Sequence, residues 1–321
     1  MNKQYLNFRT DMADERVDTY KRVHNLSAID GVEVVSRNEE GIVTTTVNVL
    51  NENGANAVSK QIGKYVTMQI EDLNYLDDDS KKNIIEKVSV EVKELIGNDN
   101  KKSILIVGLG NIYVTPDALG PKVVQNIDIT RHILNFAKEF AEPNTRPVSA
   151  ISPGVLGTTG IETSEIVSSL VDKTKPDMIV VIDSLASQSV HRIGNTIQFS
   201  NTGITPGAGV RNKREGLNQD TLGIPVIAIG VPTVVDMATI TNEAIDKLID
   251  NTKLELNEFS NDNISQNVSG KVFEKLNTDA RYDMIANVLD TENYIVTPKE
   301  IDDVISTVAS IISNGINMAI Q

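Results

Sequence analysis

Ser103-Ile104-Leu105-Ile106-Val107-Gly108-Leu109-Gly110-Asn111 is an unbroken apolar run that gives way to glycines. A run that is apolar at every position reads as a strand buried on both faces, the pattern of a parallel sheet. Toward the C-terminus the same pattern returns in Met178-Ile179-Val180-Val181-Ile182 and in Pro225-Val226-Ile227-Ala228-Ile229. Helical periodicity lies between and beyond these runs, at Lys122–Ile127, Arg131–Phe140, Glu162–Leu170 and Ala238–Ile249. Such alternation predicts an α/β fold, a three-layer wound sheet with helices on both faces.

Toward the N-terminus the character changes. Residues 31–75 are β-rich, with strands expected at Ile42–Val49 and Lys64–Ile70 and a turn at Asn51-Glu52-Asn53-Gly54. This predicts an N-terminal β-rich subdomain added to the wound sheet. Residues 80–96 carry Ile84, Ile85, Val88, Val92, Leu95 and Ile96 on one helical face, with Ser80 as cap and Gly97 as stop. The last helix is signalled by a capping box of Thr297 and Glu300, by Pro298 at its first position, and by the stripe Ile301, Val304, Ile305, Val308 and Ile312. Residues 200–220 read as a long glycine- and charge-rich loop, and residues 252–275 as a weakly structured excursion.

Composition narrows the chemistry. The chain has 321 residues with 44 acids against 30 bases, a net charge of −14. That balance argues against a nucleic-acid surface, which needs clustered Lys and Arg. No apolar run approaches the ~18 residues of a membrane span, and the first residues lack the apolar core of a secretory signal. Cysteine is absent, which removes thiolate nucleophiles, disulfides and cysteine metal sites and fits a reducing compartment. The three histidines, His24, His132 and His191, have no metal-ligand spacing. Carboxylates, hydroxyls, lysines and backbone amides remain as working groups.

Gly108-Leu109-Gly110 follows a buried strand, as a dinucleotide fingerprint does, but its third glycine would be Tyr113. The same glycines could simply allow a tight turn. Asp117 stands in a loop bracketed by Pro116 and Gly120, past the carboxyl end of a strand, where open α/β sheets bind ligands. It could equally cap the next helix. Asp183 ends the run Met178–Ile182, so it too belongs at the carboxyl end of a central strand. Two converging carboxylates share a proton, and such a pair can activate water and protonate a leaving amine. Asp117, before a helix, is read as the base, and Asp183, after a buried strand, as the acid, with the reverse assignment left open. The loops Ser152-Pro153-Gly154 and Gly157-Thr158-Thr159-Gly160 could line a cleft or donate amides to an oxyanion. Lys213 and Arg214 could meet an acidic substrate.

The chain resembles the germination proteases of spore-forming bacteria. The likeness runs in register through Phe8-Arg9-Thr10-Asp11-Met12-Ala13, Ile106–Pro121, Arg146–Ala150, Pro153–Gly157, Gly160–Ser164, Lys175-Pro176-Asp177, Ile182-Asp183, Pro225–Asp236 and Val296–Glu300. It implies an atypical aspartic endopeptidase that degrades small acid-soluble, DNA-protecting spore proteins at germination. The family's essential aspartates fall on Asp117 and Asp183, with no cofactor and no metal. It implies a zymogen that removes a propeptide, residues 1–11, by cutting Asp11–Met12, leaving one peptidase domain, 12–321. It also implies a homotetramer in the cytoplasm of the forespore and spore core. Ser184 departs from the pattern, which has alanine there, and residues 252–290 match it poorly. The chain is more distantly similar to hydrogenase-maturation peptidases, whose acids and a histidine hold a metal. The alternatives are therefore a divalent metal held by Asp117 and Asp183, or a non-catalytic nucleotide- or metal-binding protein built on the Gly108–Asn111 turn.

Overall fold

A computed structural model describes residues 10–99, 101–205, 215–245 and 294–321, with Leu248, Tyr282, Met284, Ile285 and Val288. Residues 1–9, Lys213 and Arg214 in the long loop, and the excursion at 252–275 lie outside the described residues. Among the described residues nine strands form one sheet: β1 (Val32–Glu39), β2 (Ile42–Val49), β3 (Gly63–Ile70), β4 (Ile104–Gly108), β5 (Val148–Ile151), β6 (Met178–Ser187), β7 (Thr196–Ser200), β8 (Val226–Asp236) and β9 (Ile295–Val296). Their order is β1-β2-β3-β7-β8-β6-β4-β5, with β9 on the end of β8. The strands β5, β4, β6 and β8 are parallel, as their apolar runs predict. The β-rich N-terminal strands join the same sheet, because β3 pairs antiparallel with β7, which pairs antiparallel with β8.

Helices cover both faces. On the first face lie α3 (Asp78–Ile96), α4 (Leu119–Val124) and the last helix, α9 (Ile301–Ile320). Ile84, Val88 and Val92 of α3 meet Val308, Ile312 and Ile316 of α9 over Ile106, Val180, Ile229 and Phe199 of the sheet. By length and composition α9 could cross a membrane, yet its apolar stripe is spent on this core. On the second face, α7 (Thr163–Thr174) packs Val167 and Val171 on Leu105, Val107, Ile179 and Val181. At the other end of that face α1 (Ala13–His24) sets Ala13 and Val17 against Val47, Val49 and Tyr65, beside Val58 of α2 (Glu52–Val58). The short helices α5 (Arg131–Phe136), α6 (Leu156–Thr159) and α8 (Gln219–Leu222) complete the connections.

Several local expectations change. Asn51–Gly54 is the start of α2, not a turn, because the Asn51 side chain accepts the Gly54 N–H at 3.0 Å and caps the helix. Asp77, not Ser80, caps α3, accepting the Ser80 N–H at 2.8 Å. The capping box of α9 does not form: the Thr297 hydroxyl donates to the Thr233 carbonyl at 2.9 Å, and the helix begins at Ile301 without a side-chain cap. β8 runs on through Gly230 and Pro232 to Asp236. Proline, which has no N–H to give, is tolerated there because the β6–β8 register shifts between Leu185 and Ala186.

Candidate active site

The chain passes from β4 to β5 on one side and reaches β6 on the other, so the end of β4 is the point where strand order reverses, the usual ligand crevice of an open α/β sheet. Gly110 has φ +111°, and a Cβ there would lie 2.0 Å from the Asp117 carbonyl oxygen. A Cβ on Gly108 would lie 2.2 Å from the Gly120 carbonyl oxygen. Both glycines thus admit the chain's own 117–120 segment. Asp117 sits in a 3₁₀ turn, Thr115–Asp117, and its Oδ2 accepts the Asn111 N–H at 2.8 Å. α4 has no side-chain cap, so Asp117 does not serve as one.

Asp183 does not end its strand: β6 continues to Ser187, because Asp183–Ser187 stay paired with Gly230–Val235 of β8. Asp183, Gly230 and Gln198 form one row across β6, β8 and β7. The middle residue has no side chain, and the Leu185 side chain packs over it. A Cβ on Gly230 would stand 2.5 Å from Leu185 Cδ1. Asp183 is buried, and its Oδ1 accepts the Ser184 N–H at 2.9 Å. Burial, then the nearby charges of Asp117 and Asp11, hold the Asp183 carboxyl well above the usual carboxylate range. The Ser184 hydroxyl lines the cleft, buried and without a hydrogen-bond partner.

β6 outruns β4, and residues 10–12 of the chain lie against the exposed stretch. Asp11 donates its N–H to the Ala186 carbonyl at 2.8 Å, and its Oδ2 accepts the Ala186 N–H at 2.9 Å. The Asp11 carbonyl accepts Lys60 Nζ at 2.5 Å and Gln198 Nε2 at 3.2 Å. Gln198 Oε1 takes the Ala13 N–H at 2.7 Å. Met12 is extended, with φ −81° and ψ 129°, and fully buried. Beyond it, Arg192 pairs with Asp14 at 2.7 Å and Glu15 at 3.2 Å. Asp11, Lys60, Asp117, Asp183 and Gln198 line one cleft of about 1190 Å³.

Of the four site residues expected from the sequence, Asp117, Asp183 and Asp11 line the cleft, and Met12 is buried in the core beside Asp11. The weaker candidates have local duties. The Ser152 hydroxyl donates to the Gly108 carbonyl at 3.2 Å, and Gly160 ends α6 in the left-handed region. His24, His132 and His191 are exposed, and none lines the cleft. Lys60, Gln198 and Arg192 were not legible. Lys60 follows a helix that reads as a turn, and Gln198 sits in β7, a strand whose polar alternate residues obscure it.

A family model described as germination protease matches residues 9–280. The chain belongs to the germination protease family. A germination protease from Clostridium perfringens is 47% identical over 322 residues, covering 98% of this chain and 95% of that one. One from Clostridium tetani is 44% identical, covering 98% and 96%. One from Bacillus cereus is 40% identical over 343 residues, covering 98% and 93%. Membership makes the chain a peptidase, a hydrolase, of a family that works in spores. A solved hydrogenase maturation protease from Thermococcus kodakarensis matches 44% of this chain and 80% of its own at 20% identity, with a TM-score of 0.29, too distant to argue from.

Proposed function

We propose that this germination protease is a self-processing aspartic endopeptidase that cuts Asp11–Met12 in its own chain and then small acid-soluble, DNA-protecting spore proteins. The observation that supports this reading is that Asp11 lines the same cleft as Asp117 and Asp183, and that Asp183 feels the charge of Asp11. Asp183, whose carboxyl burial shifts toward the protonated form, is the acid that gives a proton to the Met12 nitrogen. Asp117, whose carboxylate already accepts an N–H, is the base that takes a proton from the attacking water. Residues 10 and 11 cover the free edge of β6, so a substrate reaches that edge only after they leave. Met12-Ala13-Asp14-Glu15 then serves as a template for a cleavage site with small and acidic residues after the cut bond. The family likeness further supports a homotetramer in the cytoplasm of the forespore and spore core.

The test is intact-mass analysis of the full chain over time. Wild type should convert to a chain starting at Met12, and Asp117→Asn and Asp183→Asn should each stay at full length with unchanged melting temperatures. Either variant trimming at the wild-type rate would remove that aspartate from the mechanism. Rapid cleavage of spore protein by a full-length chain that never trims would remove the zymogen.

A further inference from the structure

Peptide hydrolysis passes through a tetrahedral intermediate in which the carbonyl oxygen carries a full negative charge. A site that hydrolyses the Asp11–Met12 bond therefore needs donors at the Asp11 oxygen besides Asp183, whose proton goes to the leaving nitrogen. We propose that Lys60 and Gln198 form the oxyanion hole of this peptidase, donating to the Asp11 carbonyl oxygen during self-cleavage and to the corresponding carbonyl of a substrate afterwards. The proposal rests on Asp11–Met12 being the bond that is cut.

The geometry is specific. Lys60 Nζ at 2.5 Å and Gln198 Nε2 at 3.2 Å bracket the distance, about 2.7–3.1 Å, at which such donors act. The Gln198 amide is oriented: its oxygen takes the Ala13 N–H, so its NH₂ has to face the Asp11 carbonyl. One side chain thereby grips the chain on both sides of the scissile bond. Gln198 shares a sheet row with Asp183 across the bare Gly230, which puts donor and acid on the same face. Lys60 follows Ser59, whose φ of 54° ends α2 in the left-handed region, and its Nζ lies 5.7 Å from the centre of the Tyr65 ring. Burial lowers the Lys60 ammonium to about 8, so it is charged at neutral pH and poorly solvated, and it interacts more strongly with a developing oxyanion than a hydrated lysine does.

The step balances without a further reactant. Water oxygen adds to the Asp11 carbonyl carbon while a water proton passes to Asp117. The carbonyl π pair moves onto oxygen, where Lys60 and Gln198 hold it. Collapse restores the carbonyl and breaks the C–N bond, and Asp183 gives its proton to the departing Met12 nitrogen. The products are the Asp11 carboxyl group and the Met12 amine, with one water consumed.

The experiment follows the first-order rate of conversion of the full chain to the Met12 form. Lys60→Cys should slow it ~10²–10³-fold, the size expected for loss of one oxyanion donor. The chain has no other cysteine, so aminoethylation of that thiol rebuilds an ammonium at position 60 alone and should restore most of the rate. Gln198→Glu keeps an acceptor for the Ala13 N–H and removes the donor; it should also slow conversion, and it serves if Lys60→Cys does not fold. Wild-type rates in both variants, with wild type itself trimming at Met12, would overturn the oxyanion hole and leave self-cleavage standing. A slow, folded Lys60→Cys that aminoethylation leaves slow would overturn the charge-donor role of Lys60. A wild-type chain that never opens Asp11–Met12 would overturn both readings.

Discussion

Glu15 is buried in the first turn of α1, where its carboxylate accepts the Thr10 hydroxyl and the Gln188 N–H and faces Arg192. Burial outweighs these partners and raises its pKa from 4.5 to about 6. The sign of the linkage is set by that direction. Below pH 4.5 the group is protonated in both folded and unfolded chains and costs nothing. As pH rises through 6 the unfolded chain ionises more readily, and stability is lost, by about 2 kcal/mol for a shift of this size. Measured against Glu15→Gln by urea unfolding, wild type should gain about 2 kcal/mol between pH 7.5 and pH 4. A difference between the two proteins that is flat with pH would refute the assignment. Asp183 is shifted in the same direction, for the same first reason. A buried carboxyl is unreadable in sequence, since Glu15 stands in a polar run and Asp183 looks like the acid that ends a strand.

Between α3 and α9 the contact is close enough to need a glycine. A Cβ on Gly315 would lie 2.4 Å from Val88 Cγ1 and 3.3 Å from the Ile85 carbonyl oxygen. Val88 is β-branched and fully buried, so it has little freedom to turn aside. Gly315→Ala should improve helix propensity by roughly 1 kcal/mol and lose more than that to overpacking. The expected net effect is a loss of about 1–2 kcal/mol, read by thermal or urea unfolding, and a stabilised variant would show that the helices can move apart. The amphipathic stripes of these helices were legible because 3.6-residue periodicity is a local property. Their starts were not: the residue that caps depends on which side chain reaches the free N–H groups, and Thr297 instead bonds β8. β7 was missed for a related reason. Its Gln198 and Ser200 are buried, but they face the cleft, so the strand never shows the apolar run of β4 or β6.

At the scale of the molecule, Thr10–Glu15 is held against its own chain by Ala186, Gln198, Lys60 and Arg192, with Asp11 in the cleft. Self-cleavage should therefore be intramolecular. The rate constant for trimming should stay the same over a hundredfold range of protein concentration. Full-length Asp183→Asn mixed with active wild type should stay untrimmed, because its Asp11–Met12 bond is already occupied by its own site. A rate that rises with concentration, or trimming of the inactive partner, would show that one molecule cuts another. The negative charge read from composition has a local expression in this arrangement, where Asp11, Asp14 and Glu15 lie close together and Arg192 answers the latter two.

Periodicity and residue type alone determined the parallel strands β4 and β6, the helices over them and the absence of thiol chemistry, because burial of an apolar run and absence of cysteine need no partner to be read. Asp117 and Asp183 were legible as acids toward the crevice, because position along the chain of an α/β sheet predicts position in it, but β6 runs on past Asp183 to Ser187. Only the tertiary structure decided that Gly108 and Gly110 hold the chain's own turn, and that Asp11 pairs with Ala186, 175 residues away. It also decided that Lys60 and Gln198 meet at one carbonyl. Those facts depend on which distant segments share a strand edge or a sheet row, and nothing in the local sequence records the register.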